Sequence, residues 1–188
     1  TVKVFSSQGL VVLPSDSCYG LSGLAFDASK VKKIAQFKSQ PDSKPISVCL
    51  ATARQLWDFV EFDQNIQDFI ELYWPGPITL VLPLKETAQW VGFRLPDHNL
   101  MRSLVAELKA PIYTTSANQH GKTEIYDLEQ LSQQELDSED LALILNAGTL
   151  DLKLPSAVLK FDDLQFVVLR EHPCIQNIDK VFSLKHKQ

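Results

Sequence analysis

The chain has 188 residues, 45% of them apolar and 22% charged, which suffices for one substantial core and makes one domain the expected organisation. Its formal charge of -5 argues against a broadly basic, nucleic-acid-coating surface but leaves room for a local positive cleft. Cys18, Cys49 and Cys174 are odd in number and form no CxxC pair, so neither a disulfide framework nor a zinc site is expected. No apolar run reaches the length of a membrane span and no export signal is read at the start, so a reducing, cytoplasmic setting is the expectation.

In chain order, Leu10 to Leu13 is an unbroken apolar run stopped by Pro14, and it predicts a strand buried on both faces. A polar loop is expected next. Asp27 or Ser29 can then cap a helix carrying Val31, Ile34 and Ala35 on one side, ending before Pro41. Ile46 to Leu50 predicts a second strand, and Thr52 with Gln55 offers a capping box for a helix through Val60. Asp63 opens the most regular helix, with Ile66, Phe69, Ile70 and Tyr73 on one face, and Pro75-Gly76-Pro77 stops it.

Strands are predicted at Ile78 to Leu84 and Trp90 to Leu95, then a helix around Leu100 to Leu108 and a strand at Ile112 to Thr115. A short helix near Asp127 to Leu131, a loop or frayed helix over Ser132 to Asp140, a strand near Leu141 to Leu145, and a hairpin turning at Asp162-Asp163 follow. Strands alternating with helices, closed by a hairpin, predict an α/β fold with a mixed sheet.

Polar residues gather just after strand ends, where open α/β sheets bind ligands. In Pro14-Ser15-Asp16-Ser17-Cys18-Tyr19-Gly20 the polar residues serve either as turn formers or as ligand contacts. Lys38 and Lys44 flank a proline-bounded loop suited to a polyphosphate, although such loops are also ordinary solvated surface. Trp74 fits either a core position at the helix stop or a ligand contact. Arg94 interrupts an apolar strand and requires an internal carboxylate or an anionic ligand. Thr115-Ser116-Ala117-Asn118 can present hydroxyl and amide groups to phosphate or sugar, or simply form a turn.

Several chemistries are excluded. The chain lacks GxxxxGK[ST], a strand-following GxGxxG, HExxH and GxSxG, which removes P-loop, dinucleotide, zincin and serine hydrolase readings. Cations, hydroxyls and amides remain, and these position anions and stabilise developing charge.

The order of these segments resembles the YrdC-like family of threonylcarbamoyl-AMP synthases along nearly the whole chain. The resemblance rests on Pro14-Ser15-Asp16-Ser17-Cys18-Tyr19-Gly20-Leu21, Tyr73-Trp74-Pro75-Gly76-Pro77-Ile78-Thr79, Val91-Gly92-Phe93-Arg94-Leu95-Pro96, Thr115-Ser116-Ala117-Asn118, Pro155-Ser156-Ala157-Val158 and Leu169-Arg170. It implies a YrdC-like twisted open mixed sheet flanked by helices, with a concave ligand pocket. It also implies synthesis of threonylcarbamoyl-AMP and pyrophosphate from L-threonine, bicarbonate and ATP, the last carrying Mg2+, with no tightly bound protein-ligated metal.

By the same resemblance Lys38, Ser116, Asn118 and Arg170 face ATP, with Lys38 catalytic, while Ser17, Arg94 and Ser156 hold threonine. Partner proteins of tRNA modification, with at most weak direct tRNA contact, are expected. The family's Lys-x-Arg pair stands here as Lys38-Ser39-Gln40, so a neutral amide replaces a guanidinium, and Lys44 is the nearby substitute. Two competing readings are a nucleotide- or RNA-binding paralogue without synthase activity, which the net acidity opposes, and a carbamoyl-transfer module of hydrogenase-maturation type, whose zinc-finger-like cysteines are absent.

Overall fold

The computed structural model describes residues 2–5 and 9–186. After a one-turn helix α1 (Val2–Phe5), strand β1 (Leu10–Pro14) is buried along its whole length, as its apolar run predicts. Leu10 and Val12 pack with Ile34 and Phe37 on one side, while Val11 and Leu13 pack with Met101, Leu104 and Val105 on the other. That two-sided burial requires helices on both faces of the sheet.

The stretch expected to be a polar loop is only a tight turn, Ser15 to Cys18, after which the chain returns as β2 (Tyr19–Leu24), antiparallel to β1. Its small residues conceal a strand. Gly20 is required there, because a Cβ at that position would lie 2.8 Å from Thr114 Oγ1 on the next strand. Asp27 then caps α2 (Ala28–Phe37), its carboxylate accepting from the Ser29 amide at 2.8 Å.

β3 (Ser47–Cys49) follows, but the predicted Thr52 capping box does not form. Gln55 Oε1 instead accepts from the Ala51 amide at 2.9 Å, and Ala53–Asp58 winds as a 3-10 helix. Helix α3 (Gln64–Tyr73) is capped by Asp63 as expected, and its apolar face packs on strands β4 (Ile78–Pro83) and β5 (Trp90–Arg94). Trp74 is a core residue: it is 7% exposed and its indole N–H donates to Ile78 O at 3.1 Å.

Helix α4 (Asn99–Leu108) leads into β6 (Ile112–Ser116). The acidic stretch contains a single turn, α5 (Gln133–Leu136), closed by a reciprocal Ser132 and Glu135 capping box. Strand β7 (Leu141–Ile144), the hairpin of β8 (Ala157–Asp162) and β9 (Gln165–Arg170), helix α6 (Ile175–Phe182) and the short β10 (Lys185–His186) complete the described chain. At the hairpin tip Asp163 and Leu164 both take positive φ, at 48° and 61°, the backbone hand that a two-residue hairpin turn needs.

The ten strands among the described residues join one open sheet in the order β10-β9-β8-β4-β5-β3-β6-β2-β1-β7. Four parallel pairs (β1 with β7, β3 with β5, β4 with β8, β9 with β10) occur among five antiparallel ones, so the sheet is mixed as predicted. The larger core lies under α3 and α6, where Phe69, Phe161, Phe166 and Phe182 form an aromatic cluster with Phe69 and Phe166 4.5 Å apart. This register sets one cross-strand row important for the site: Arg94 pairs with Thr79, Thr79 with Val158, and Val158 with Arg170.

Candidate functional site

The predicted site residues fall into groups joined across widely separated elements: Lys38 with Ser116 and Asn118, Arg94 with Asp16 beside Ser17, and Arg170 with Ser156. Lys38 caps the end of α2, is only 3% exposed, and donates through its ammonium to the carbonyls of Ser116 and Asn118 at the end of β6. Two of its three N–H donors are thereby committed, leaving one for a ligand. Burial, helped by the nearby Lys44 charge, lowers the Lys38 pKa to about 8. Lys44 itself is exposed, with its amine 2.6 Å from His120 Nδ1.

Arg94, 8% exposed at the end of β5, finds an internal carboxylate: its Nη2 donates to both oxygens of Asp16 at 2.7 and 2.8 Å. Asp16 sits in the β1–β2 turn, which Ser15 closes by donating its hydroxyl to Cys18 O at 2.6 Å. Ser17 lies in the same turn, its hydroxyl 3.3 Å from Ser15 Oγ and 4.0 Å from Cys18 Sγ. The turn thus contains both turn-forming hydrogen bonds and a carboxylate that reaches the site.

The remaining cluster is built on the β5-β4-β8-β9 row. Thr79 and Ser156 hydroxyls are 2.9 Å apart, and Arg170 donates through Nε to Ser156 O at 2.8 Å and through Nη2 to Ser156 Oγ at 3.1 Å. Burial lowers the Arg170 pKa, and the charge of Arg94 adds to that effect, so the two guanidinium groups share one region. Cys18 follows Ser17 in the β1–β2 turn, its amide donating to Ser15 Oγ at 3.3 Å. Burial raises its pKa, and it feels Arg94 and Lys38 as well as the carboxylate of Glu124.

Three buried side-chain atoms lack a hydrogen-bond partner among the described residues: Gln40 Oε1, Arg94 Nε and Asn118 Oδ1. All three belong to segments singled out from the sequence. Unpaired buried polar atoms are rare because each costs desolvation free energy, so each of the three is a candidate to meet a ligand. Arg94 Nε is a donor suited to an anion; Asn118 Oδ1 and Gln40 Oε1 are acceptors suited to a cation or a hydroxyl. The Asn118 amide nitrogen is already engaged, donating to Lys122 O at 2.6 Å and Gln119 O at 3.1 Å.

A cleft of about 590 Å³ opens beside Arg170, with Leu154, Pro155, His172 and Ile175 among its walls, a volume suited to a small organic ligand. Of the predicted site residues only Arg170 lines it; Ser17, Lys38, Arg94, Ser116, Asn118 and Ser156 do not.

Sequence reading missed Thr79 as the hydroxyl partner of Ser156, and Glu124 altogether. The Thr79 hydroxyl was visible within a quoted motif, but its partner lies 77 residues away. Glu124, whose charge acts on Cys18, Lys38 and Arg170, is one acid in an irregular loop and carries no local signal.

Comparison with known proteins agrees with the resemblance. The Sua5/YciO/YrdC family profile, described as "Telomere recombination", matches residues 3–172. A threonylcarbamoyl-AMP synthase of Bacillus subtilis is 32% identical over 171 residues, covering 86% of this chain and 49% of that protein. The Pyrococcus abyssi Sua5 crystallised with L-threonine superposes with a TM-score of 0.87 at 25% identity, covering 99% of this chain and 57% of that one. The Escherichia coli YciO structure superposes with a TM-score of 0.78 at 24% identity, covering 90% of this chain and 86% of that one, a likeness of fold. The chain spans about half the length of the first two.

Proposed function

The chain belongs to the Sua5/YciO/YrdC family, and we propose that it is a threonylcarbamoyl-AMP synthase, making L-threonylcarbamoyladenylate and pyrophosphate from L-threonine, bicarbonate and ATP. The observation that carries this reading is that the unpartnered buried atoms Gln40 Oε1, Arg94 Nε and Asn118 Oδ1 all belong to segments for which the family resemblance implies ligand contact. The names of the curated relatives and the threonine complex of the P. abyssi protein support it.

In this reading Lys38, Ser116, Asn118 and Arg170 bind ATP, and Ser17, Arg94 and Ser156 bind threonine. Arg94 keeps Asp16 on Nη2 and offers its buried Nε–H to the amino-acid carboxylate. The threonine amine and bicarbonate condense to a carbamate with loss of water. A carbamate oxygen then attacks the α-phosphorus, the α–β bridging bond breaks, and pyrophosphate leaves.

Negative charge grows on the phosphate oxygens during this displacement, so fixed cations and N–H donors lower its barrier. Lys38 supplies the nearest fixed positive charge, and Lys44 reinforces the field from the loop where Gln40 replaces the family guanidinium. Magnesium enters with ATP as part of the substrate, and Asn118 Oδ1 is an oxygen suited to it. The protein supplies no nucleophile. Burial raises the thiol pKa of Cys18 and pushes that of Cys49 up to about 12, which keeps both protonated.

Passing the product to a tRNA adenosine calls for partner proteins, because a chain of net charge -5 offers RNA little general attraction. That work belongs in the cytoplasm; no helix among the described residues is long and apolar enough to cross a membrane. The direct test is pyrophosphate release from ATP with L-threonine and bicarbonate each omitted in turn. Release that requires all three is expected, and its absence with all three present would overturn the reading.

A further inference from the structure

Between β7 and β8 the chain runs as a strap, residues 145–156, without helix or strand. Its near end is pinned by the buried Tyr19, whose hydroxyl accepts from the Ala147 amide at 2.9 Å and donates to Gly148 O at 2.7 Å. Gly148 has φ +76°, a left-handed conformation that glycine adopts without strain. Its far end is Ser156, held by Thr79 and Arg170 within the site.

Between these anchors the strap rests mainly on Tyr126 and Asp127. The Leu150 amide donates to Tyr126 O at 2.7 Å, the Tyr126 hydroxyl donates to Lys153 O at 2.8 Å, and Thr149 donates to the Asp127 carboxylate. Tyr126 follows Ile125, whose carbonyl accepts from the Tyr19 amide at 2.8 Å next to the turn that contains Ser17, and burial raises the Tyr126 pKa. Leu154 and Pro155 form one wall of the cleft beside Arg170.

Leu150 packs partly buried against the core around Leu10, Val12 and Tyr19, but beyond it the apolar side chains do not hold the strap down, since Leu152 is 83% exposed and Leu154 57%. A segment beside a ligand site that is fixed by a few exposed hydrogen bonds and little apolar burial has a low local opening free energy. We propose that residues 149–155 form a gate over the ligand site, hinged at Gly148 and Ser156, with the Tyr126 hydroxyl as its latch. Tyr126 is then a positioning residue: it touches no reacting atom and controls how often the gate opens. The identity of the ligands rests on the synthase reading; the latch itself does not.

Tyr126→Phe removes one neutral hydrogen bond and should raise the open population about fivefold. Two measurements read this. Trypsin cleavage at Lys153–Leu154, followed by mass spectrometry, tracks the open population and should accelerate by about the same factor. Stopped-flow binding of the fluorescent analogue mant-ATP should show association and dissociation both faster by about fivefold with Kd within about twofold of wild type, because a gate changes access without changing the contacts made inside.

Unchanged cleavage would overturn the latch. Faster cleavage with unchanged association would overturn the gate, and a raised Kd with unchanged association would reassign Tyr126 to a structural role. Failure of mant-ATP to bind the wild type would instead count against the ATP reading, and cleavage at Lys153–Leu154 would still decide the latch.

Discussion

Asp16 and Arg94, separated by 78 residues, meet in the site with both carboxylate oxygens on one guanidinium nitrogen at 2.7 and 2.8 Å. Their side chains are only 8% and 9% exposed, so each neutralises a charge that would otherwise be stranded away from water. Asp16→Ala should therefore lose about 3–5 kcal/mol of stability, the cost of leaving a buried charge uncompensated. Asp16→Asn, which retains an acceptor oxygen, should lose less. Urea denaturation of the variants beside wild type measures both.

Lys38→Ala should lower pyrophosphate release by about 10²-fold or more, because it removes the fixed cation nearest the developing charge. It also strips the Ser116 and Asn118 carbonyls of their donor, so a stability loss of about 1–3 kcal/mol should accompany it. Circular dichroism at the assay temperature separates the two effects: rate lost with the folded signal retained assigns the loss to chemistry.

The lowered Lys38 pKa of about 8 predicts an alkaline limb in kcat/KM for ATP. The ammonium is roughly nine-tenths protonated one pH unit below its pKa and one-tenth protonated one unit above. The profile should fall through about pH 8, and Lys38→Gln should have no such limb. For stability the sign is opposite. The unfolded chain, with a lysine pKa of about 10.4, binds more protons than the native one between about pH 8 and 10.4, so Lys38 makes wild type gain stability across that window relative to Lys38→Met.

Gln40→Arg should lower the KM for ATP by about tenfold, since a guanidinium offers phosphate a planar pair of donors where the amide presents a buried, unpartnered oxygen. A second cation close to Lys38 should also move the alkaline limb to lower pH. Parallel pH-rate profiles of wild type and variant report both changes, and a raised KM would mean that Lys44 already fills the role.

The elements legible in the sequence were those whose periodicity or punctuation is local. The unbroken run Leu10 to Leu13 and the Asp63 cap with the Ile66, Phe69, Ile70 and Tyr73 face formed as predicted, and so did the closing hairpin, with its turn one residue later than expected, at Asp163-Leu164. Strand β2 was missed because Gly20, Ser22 and Gly23 resemble a turn in isolation, and only the close approach of β6 explains why small residues belong in a strand there. The Thr52 box failed because Gln55 had a better acceptor role toward the Ala51 amide.

By itself the sequence determined the α/β class, the buried central strand, and the motifs that carry the family resemblance, because adjacent residues fix hydrophobic period, capping and turn chemistry. Tertiary structure decided which carboxylate neutralises Arg94, which carbonyls hold Lys38, which hydroxyl meets Ser156, and how Tyr126 secures the strap. Each of those pairings joins residues brought together by sheet register or loop packing, and its strength depends on burial, a property of the assembled sheet and helices that no short stretch of chain possesses alone.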